Sequence, residues 1–264
     1  MSPFRLGTMG FGYDDWAGPF YPKGLRREEW LSFYARHFDA VELDTTFHAT
    51  PDVERVRRWA AAVPEDFRFS AKAPKMVTHE LPLDKAIEPM RAFLDVMREM
   101  GEKLSAVLLQ FPPHFTAEHT GRLDHFLASV PKDVPLAVEL RNRTWGTQRT
   151  LALLRSHRCA LVAAEYQTRP RKLFITSDDL LYVRWIGEHG AFTTHTEERI
   201  DVSESLAWWK TELQRVATEV KSIHGFFNND YAGYGIGTCN RFKAMLGLPV
   251  REPEGPAQGE LFAP

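Results

Sequence analysis

The stretch from Pro135 to Trp145, P-L-A-V-E-L-R-N-R-T-W, decides how the chain is read. Leu136, Val138 and Leu140 alternate with Ala137, Glu139 and Arg141. Successive side chains of a strand point to opposite faces, so one face is aliphatic and the other closes in charge. Central strands of α/β proteins normally run as unbroken hydrophobic stretches. An acid and a base at the end of the second face therefore predict a strand that opens into a pocket.

Outward from this segment the pattern repeats. Short β-like runs are expected at about Phe4 to Thr8, Ala40 to Asp44, Phe67 to Lys72, Ser105 to Gln110, Pro135 to Arg141, Ala160 to Glu165, Leu180 to Ile186 and Ser222 to Asn228. Amphipathic stretches lie between and after them: Glu28 to Phe38, Asp52 to Ala62, Leu83 to Met100, Thr120 to Ser129, Gln148 to His157, Ser203 to Val220 and Gly235 to Leu246. After the sixth strand, Thr168-Arg169-Pro170-Arg171-Lys172 breaks any helix, so the helix there should be short or missing. Eight alternating units predict the α/β class and a single (β/α)8 TIM-like barrel over residues 1 to 249, followed by a flexible Pro/Gly-rich tail over 250 to 264.

Composition narrows the function. The 264 residues are 44% hydrophobic and 26% charged with a formal net charge of −2, so no global basic field exists to hold a polyanion. Cys159 and Cys239 stand far apart and form no metal knuckle, which fits a reducing compartment. With no signal-like N-terminus and no run of the roughly 20 apolar residues a spanning helix needs, the expected location is the cytoplasm and no membrane partner is expected. No G-x-G-x-x-G or Walker-type phosphate loop follows a strand.

Active sites of such barrels lie where strands end. Strand alternation puts Glu42 with Asp44, Ser70 with Lys72, Gln110, Glu139 with Arg141, Glu165, Tyr182 with Arg184, and His224 with Asn228 on inward faces. A barrel without a site would fill these positions with branched apolar side chains, so the polar ring is the main functional signal. Glu42 and Glu139 are the candidate general acid and base, with Lys72 and His79 as further catalytic candidates. Arg141 and Arg184 suit a phosphate or carboxylate because a guanidinium grips two oxygens, and Gln110, Asn228 and Asn229 add neutral polar groups. Three cations share the rim with the acids, and neither His79 nor His114 sits in a ligand motif. No cofactor is therefore expected, and a divalent metal is the less favoured alternative. Aromatic loop residues Trp16, Tyr21 and Trp145 are candidate stacking surfaces for a substrate, while Trp208 and Trp209 read as packing.

These residues resemble the domain-of-unknown-function 72 family, also called YecE-like, whose members are TIM-like barrels. The resemblance rests on Gly7-Thr8 with Gly10 and Trp16, Phe20-Tyr21-Pro22, Glu42 with Thr46-Phe47, Lys72, Thr78-His79, Gln110-Phe111-Pro112-Pro113, Glu139-Leu140-Arg141 with Trp145, Arg184 with Gly187, and Phe227-Asn228-Asn229-Asp230. Met9, Asp44, His48 and Glu165 stand where the family pattern has serine, asparagine, tyrosine and aspartate. The resemblance implies the fold and supplies no reaction.

Two functions are compatible with these features. One is an enzyme acting by acid/base chemistry on a small anionic molecule, a sugar phosphate or nucleotide fragment, at the barrel mouth; hydrolase, lyase and isomerase chemistries all remain open. The other is a DNA-associated factor, related by general barrel shape to endonuclease IV-like nucleases, with Arg169, Arg171 and Lys172 as a small basic patch. It draws on the tail, where Gln258-Gly259-Glu260-Leu261-Phe262 resembles the Q-x-x-L-F peptide that docks on the bacterial sliding clamp. Gln258, Leu261 and Phe262 would be the partner-binding residues.

Overall fold

The computed structural model describes residues 3–166 and 171–251. Nine parallel strands form one sheet: β1 (Phe4–Met9), β2 (Ala40–Leu43), β3 (Arg68–Lys72), β4 (Leu104–Phe111), β5 (Leu136–Leu140), β6 (Ala160–Leu161), β7 (Ala163–Glu165), β8 (Leu180–Trp185) and β9 (Ser222–Phe227). Their order is β6-β5-β4-β3-β2-β1-β9-β8-β7. The two outermost strands, β6 and β7, are halves of the expected sixth strand, parted at Val162. The first half pairs with β5 and the second with β8, so chain continuity closes the ring. The Val162 amide still donates to the Val138 carbonyl at 3.0 Å. The expected eight strands are all present and the fold is an α/β TIM-like barrel.

Helices cover the outside: α1 (Trp30–Tyr34), α2 (Val53–Ala61), α3 (Ile87–Met97), α4 (Thr120–Ser129), α5 (Gln148–Ser156), α6 (Ser203–Val216), α7 (Asn229–Ala232) and α8 (Gly235–Met245). Local signals place their starts. Asp52 accepts the Arg55 amide at 2.7 Å as the N-cap of α2, and Thr147 accepts the Thr150 amide at the head of α5. Among the described residues no helix lies between β7 and β8. The expected span from Glu28 to Phe38 shrinks to a single turn of 3₁₀ helix followed by the five residues of α1.

The apolar groups divide into two. The larger cluster lies between strands and helices, and a smaller one fills the barrel axis with Met9, Ala40, Ala106, Leu108, Ala137, Ala160, Val162, Leu180, Tyr182 and Phe226. Gly7 has a steric reason: a Cβ there would sit 1.8 Å from the Ala40 carbonyl oxygen, so only glycine lets β1 and β2 approach with Tyr34 packed beside them. Gly187 (φ 72°) likewise turns the chain after β8 against α7, where a Cβ would meet the Asp230 carbonyl at 2.1 Å.

Two expectations are corrected. Glu165 does not face the barrel axis: Ala160, Val162 and Ala164 take the inward positions, and simple alternation sends Glu165 outward beneath α6. There it accepts hydrogen bonds from Ser205, Trp209 and Tyr231. Trp16 and Tyr21 offer no stacking face, because the loop after β1 folds down and both rings are fully covered, with Tyr21 stacked 4.5 Å from Trp30. Cys159 and Cys239 are buried and free, as expected. The tail residues Gln258, Leu261 and Phe262, and Arg169 of the basic patch, lie outside the described residues.

Candidate functional site

The C-terminal ends of β2, β3, β4, β5 and β8 converge on Arg184. Its Nε lies 3.0 Å from Glu42 Oε2 and its Nη2 2.7 Å from Glu42 Oε1, while Nη1 donates to Glu139 Oε2 at 2.6 Å. Register explains the meeting. Gln110 is paired with Glu139 across β4 and β5, and Met9 with Glu42 across β1 and β2, so the acids stand on one rim with β3 and β4 between their strands and meet at Arg184. Residues two apart on a strand share a face, which adds Arg141 above Glu139, Asp44 above Glu42 and Lys72 above Ser70.

Glu139 is the most heavily bonded acid. Gln110 Nε2 donates to both its oxygens at 3.0 Å, Arg141 Nε donates at 3.0 Å, and the Tyr166 hydroxyl donates at 2.8 Å. Burial pushes its proton affinity up, but Arg184 and Arg141 outweigh burial and hold its pKa at about 2. Glu42 goes the other way. It is fully covered, accepts from the Tyr182 hydroxyl at 2.7 Å, and is raised to about 7 chiefly by burial, with Asp44 adding to the rise against the pull of Arg184. Two carboxyl groups on one guanidinium thus differ in protonation at neutral pH. Burial also lowers Lys72, whose Nζ lies 3.8 Å from Asp44 Oδ1 and 4.2 Å above the Phe47 ring.

Beside Glu139 opens a cavity of about 870 Å³. Its polar wall is Arg141, Asn142, Arg143, Tyr166 and Lys172, and its apolar wall includes Trp145, Val162 and the half-exposed Phe174. Among the described residues Arg143 and Lys172 have no carboxylate within ion-pair distance. Arg184, in contrast, has its fork filled by Glu42 and Glu139, so it organises the acids and has no free edge for a ligand.

The structure brings together Glu42, Lys72, Gln110, Glu139, Arg141 and Arg184, with Trp145 on the wall beside them and Asn228 meeting Arg184 at Met9 Sδ. His79 faces a smaller cavity of about 130 Å³ with His114 and His119, and burial together with Lys72 and Arg141 lowers it to about 4. Trp145 lines the mouth, with its Nε1 donated to the Phe115 carbonyl at 2.7 Å. Asn228 and Asn229 serve the backbone: Asn228 accepts the Asp230 amide at 2.8 Å as N-cap of α7, and Asn229 accepts the Gly235 amide at 3.0 Å. Sequence reasoning missed Tyr166, Asn142 and Arg143, although the last two directly follow the Glu139–Arg141 pair. It also missed His195, which lies 3.2 Å from Asp15 and 3.4 Å from Asp230; nothing in a loop sequence signals that bridge. Among the described residues no group of three or more His, Cys, Asp or Glu is arranged around a metal-sized point, and no helix is long and apolar enough to cross a membrane.

With this geometry the chain was compared with known proteins. The model of a protein family described as "Protein of unknown function DUF72" matches residues 5–260. The chain belongs to the DUF72 family. It is 27% identical to the UPF0759 protein YunF of Bacillus subtilis over 97% of this chain and 99% of YunF. It is 36% identical to the UPF0759 protein YecE of Escherichia coli over 112 residues, 42% of this chain and 41% of YecE. Two crystal structures of DUF72 proteins superpose closely: that from Thermotoga maritima, with a TM-score of 0.76 and 27% identity over 92% of this chain and 99% of that one, and that from Enterococcus faecalis, with a TM-score of 0.75 and 26% identity over 94% and 99%. None of these descriptions assigns a reaction, so the DUF72 barrel mouth must be read from its own chemistry.

Proposed function

We propose that this DUF72 protein is an enzyme that binds a small phosphate- or carboxylate-bearing molecule at the barrel mouth and moves protons there. The observation that carries the reading is the cavity beside Glu139, where Arg143 and Lys172 face solvent with no counter-charge among the described residues, next to a buried acid cluster. Arg141, Arg143 and Lys172 would hold the anion, because guanidinium and ammonium groups make charge-assisted hydrogen bonds to its oxygens. The apolar wall of Trp145 and Phe174 would cover its organic body. Glu139 stays ionised and fixes Arg141 and the Tyr166 hydroxyl at the floor. Glu42, poised near neutrality behind Arg184, is the proton reservoir of the cluster.

Thermal unfolding of the wild type and of an Arg141→Gln, Lys172→Gln variant, titrated with inorganic phosphate and with citrate, tests the binding step. Stabilisation of the wild type that is reduced about tenfold in apparent affinity in the variant supports the reading. Equal stabilisation of both proteins, or none of either, places anion binding away from the mouth.

A further inference from the structure

The opposite end of the barrel, where the strands begin, encloses a cavity of about 520 Å³. Alternation along β1, β3 and β9 turns Arg5, Arg68 and His224 into it, beneath the apolar layer of the axis. Barrels ordinarily fill their interiors with layers of branched aliphatic side chains. Here guanidinium groups take those places without compensation. The two aspartates on the cavity wall are already committed, Asp133 to Arg98 at 2.7 Å and Asp179 to Arg158 at 2.6 Å and Lys221 at 2.7 Å. Among the described residues Arg5, Arg68 and Lys132 have no carboxylate within ion-pair distance, and Arg68 gives only Nη1, to the Glu65 and Phe67 carbonyls. Arg158 is the one described non-glycine residue with positive φ, 55°, at a helix end where glycine is favoured, and its side chain still lines this cavity.

His224 sharpens the chemistry. Its Nδ1 lies 3.3 Å from Ser70 Oγ and 3.4 Å from Ser105 Oγ, and the Ser105 hydroxyl is donated to the Phe69 carbonyl at 3.0 Å. With the Ser105 hydroxyl spent on Phe69, the tautomer that donates from Nδ1 to the serine oxygens leaves Nε2 as an acceptor, and Nε2 has no partner among the described residues. Burial and the charges of Arg5 and Arg68 keep the ring neutral, with its pKa lowered to about 3. Three cations, Arg5, Arg68 and Lys132, with one acceptor suit an anion that still holds a proton: phosphate does at neutral pH, and sulfate does not.

We infer that this N-terminal cavity is a second anion site, separate from the mouth, shaped for a phosphate group gripped by Arg5, Arg68 and Lys132 with a P–OH donated to His224 Nε2. The cavity leaves room for a small organic body on the phosphate. Conserving the fold is the usual role of this end of a barrel, so the occupant is a stabilising or regulatory ligand and is not transformed.

Isothermal titration of the full chain with inorganic phosphate, sulfate and glycerol 3-phosphate at constant ionic strength tests the site. In an Arg141→Gln, Arg143→Gln, Lys172→Gln background, which removes all three mouth cations, one phosphate-binding event should remain, about tenfold tighter than for sulfate, and adding Arg5→Gln with Arg68→Gln should abolish it. Binding of glycerol 3-phosphate as well, strengthening as pH falls toward about 6 where the ester gains its P–OH, assigns the cavity to phosphate esters, and binding of the inorganic ion alone assigns it to the free ion; both support the site. No binding in the background variant, equal binding of sulfate, or undiminished binding after the Arg5 and Arg68 changes overturns it. Removing two like charges should leave the phosphate-free protein as stable as before or more so. If the combined variant fails to fold, the exposed Lys132→Gln change in the same background gives the same readout, and unchanged phosphate affinity in it overturns the proposal.

Discussion

Replacing Glu42 by glutamine sets two physical effects against each other. The bidentate contact with Arg184, at 2.7 and 3.0 Å, favours an ionised Glu42. Full burial and the Asp44 charge favour a protonated one, and these win, raising its pKa from 4.5 to about 7. A group whose folded pKa is raised stabilises the protein fully below its unfolded pKa, and that stability is lost as pH rises through the folded value. The step from 4.5 to about 7 is worth about 3 kcal/mol at about 1.4 kcal/mol per pKa unit. The wild type should thus lose about 3 kcal/mol between about pH 4.5 and 8 on account of this residue. Glu42→Gln mimics the protonated acid in shape and should lack that loss. Urea unfolding of both proteins, followed by tryptophan fluorescence at several pH values, measures the difference. The variant should be close to the wild type near pH 5 and gain on it steadily toward pH 8. If the variant instead falls behind as pH rises, Glu42 is an ionised partner of Arg184, and the assignment of a proton reservoir is wrong.

Glu139→Gln should behave oppositely: its depressed pKa of about 2 contributes stability above pH 4.5 that is lost only as pH falls through 2, so the variant should be less stable by about 3–5 kcal/mol throughout pH 5 to 9 in the same assay. Gly7→Ala should cost at least the about 1–3 kcal/mol typical of overpacking, read as a fall in melting temperature, because the added methyl has only a backbone carbonyl to displace. The clamp reading of the tail predicts that a labelled peptide covering Pro256 to Pro264 raises its fluorescence anisotropy with bacterial sliding clamp while a Leu261→Ala, Phe262→Ala peptide does not; equal binding, or none by either, removes the tether.

The strands were legible because each buries one aliphatic face against helices, and the period of two survives in one dimension. The consequences of pairing between strands were not. The break at Val162 exists because one segment is handed from β5 to β8, a tertiary event with no local signature. Glu165 was misplaced although parity counted from Ala160 already pointed it outward; the acid at a strand end drew the wrong inference. Glu42, Glu139, Arg141 and Arg184 were legible as one rim from common parity. The saturation of Arg184 was not, since its acids come from positions 142 and 45 residues away. Trp16 and Tyr21 show the same limit, because a loop that folds inward and one that stands open have similar aromatic content.

Both ends of the barrel are polar, and they are joined through its axis. The Tyr182 hydroxyl donates to Glu42 at 2.7 Å, the Tyr182 and His224 rings lie 6.4 Å apart, and His224 Nδ1 faces Ser70 Oγ at 3.3 Å. The mouth end of this column of polar side chains is the Glu42 carboxyl. The column stands in a medium where an unpaired polar group is expensive. Protonation of Glu42 at the mouth and the charge surrounding His224 at the base are therefore terms of one electrostatic system. The apolar layer around the column keeps water from screening it. That coupling gives a physical reason for a barrel to keep a tyrosine, a serine and a histidine on its axis where aliphatic side chains would pack as well.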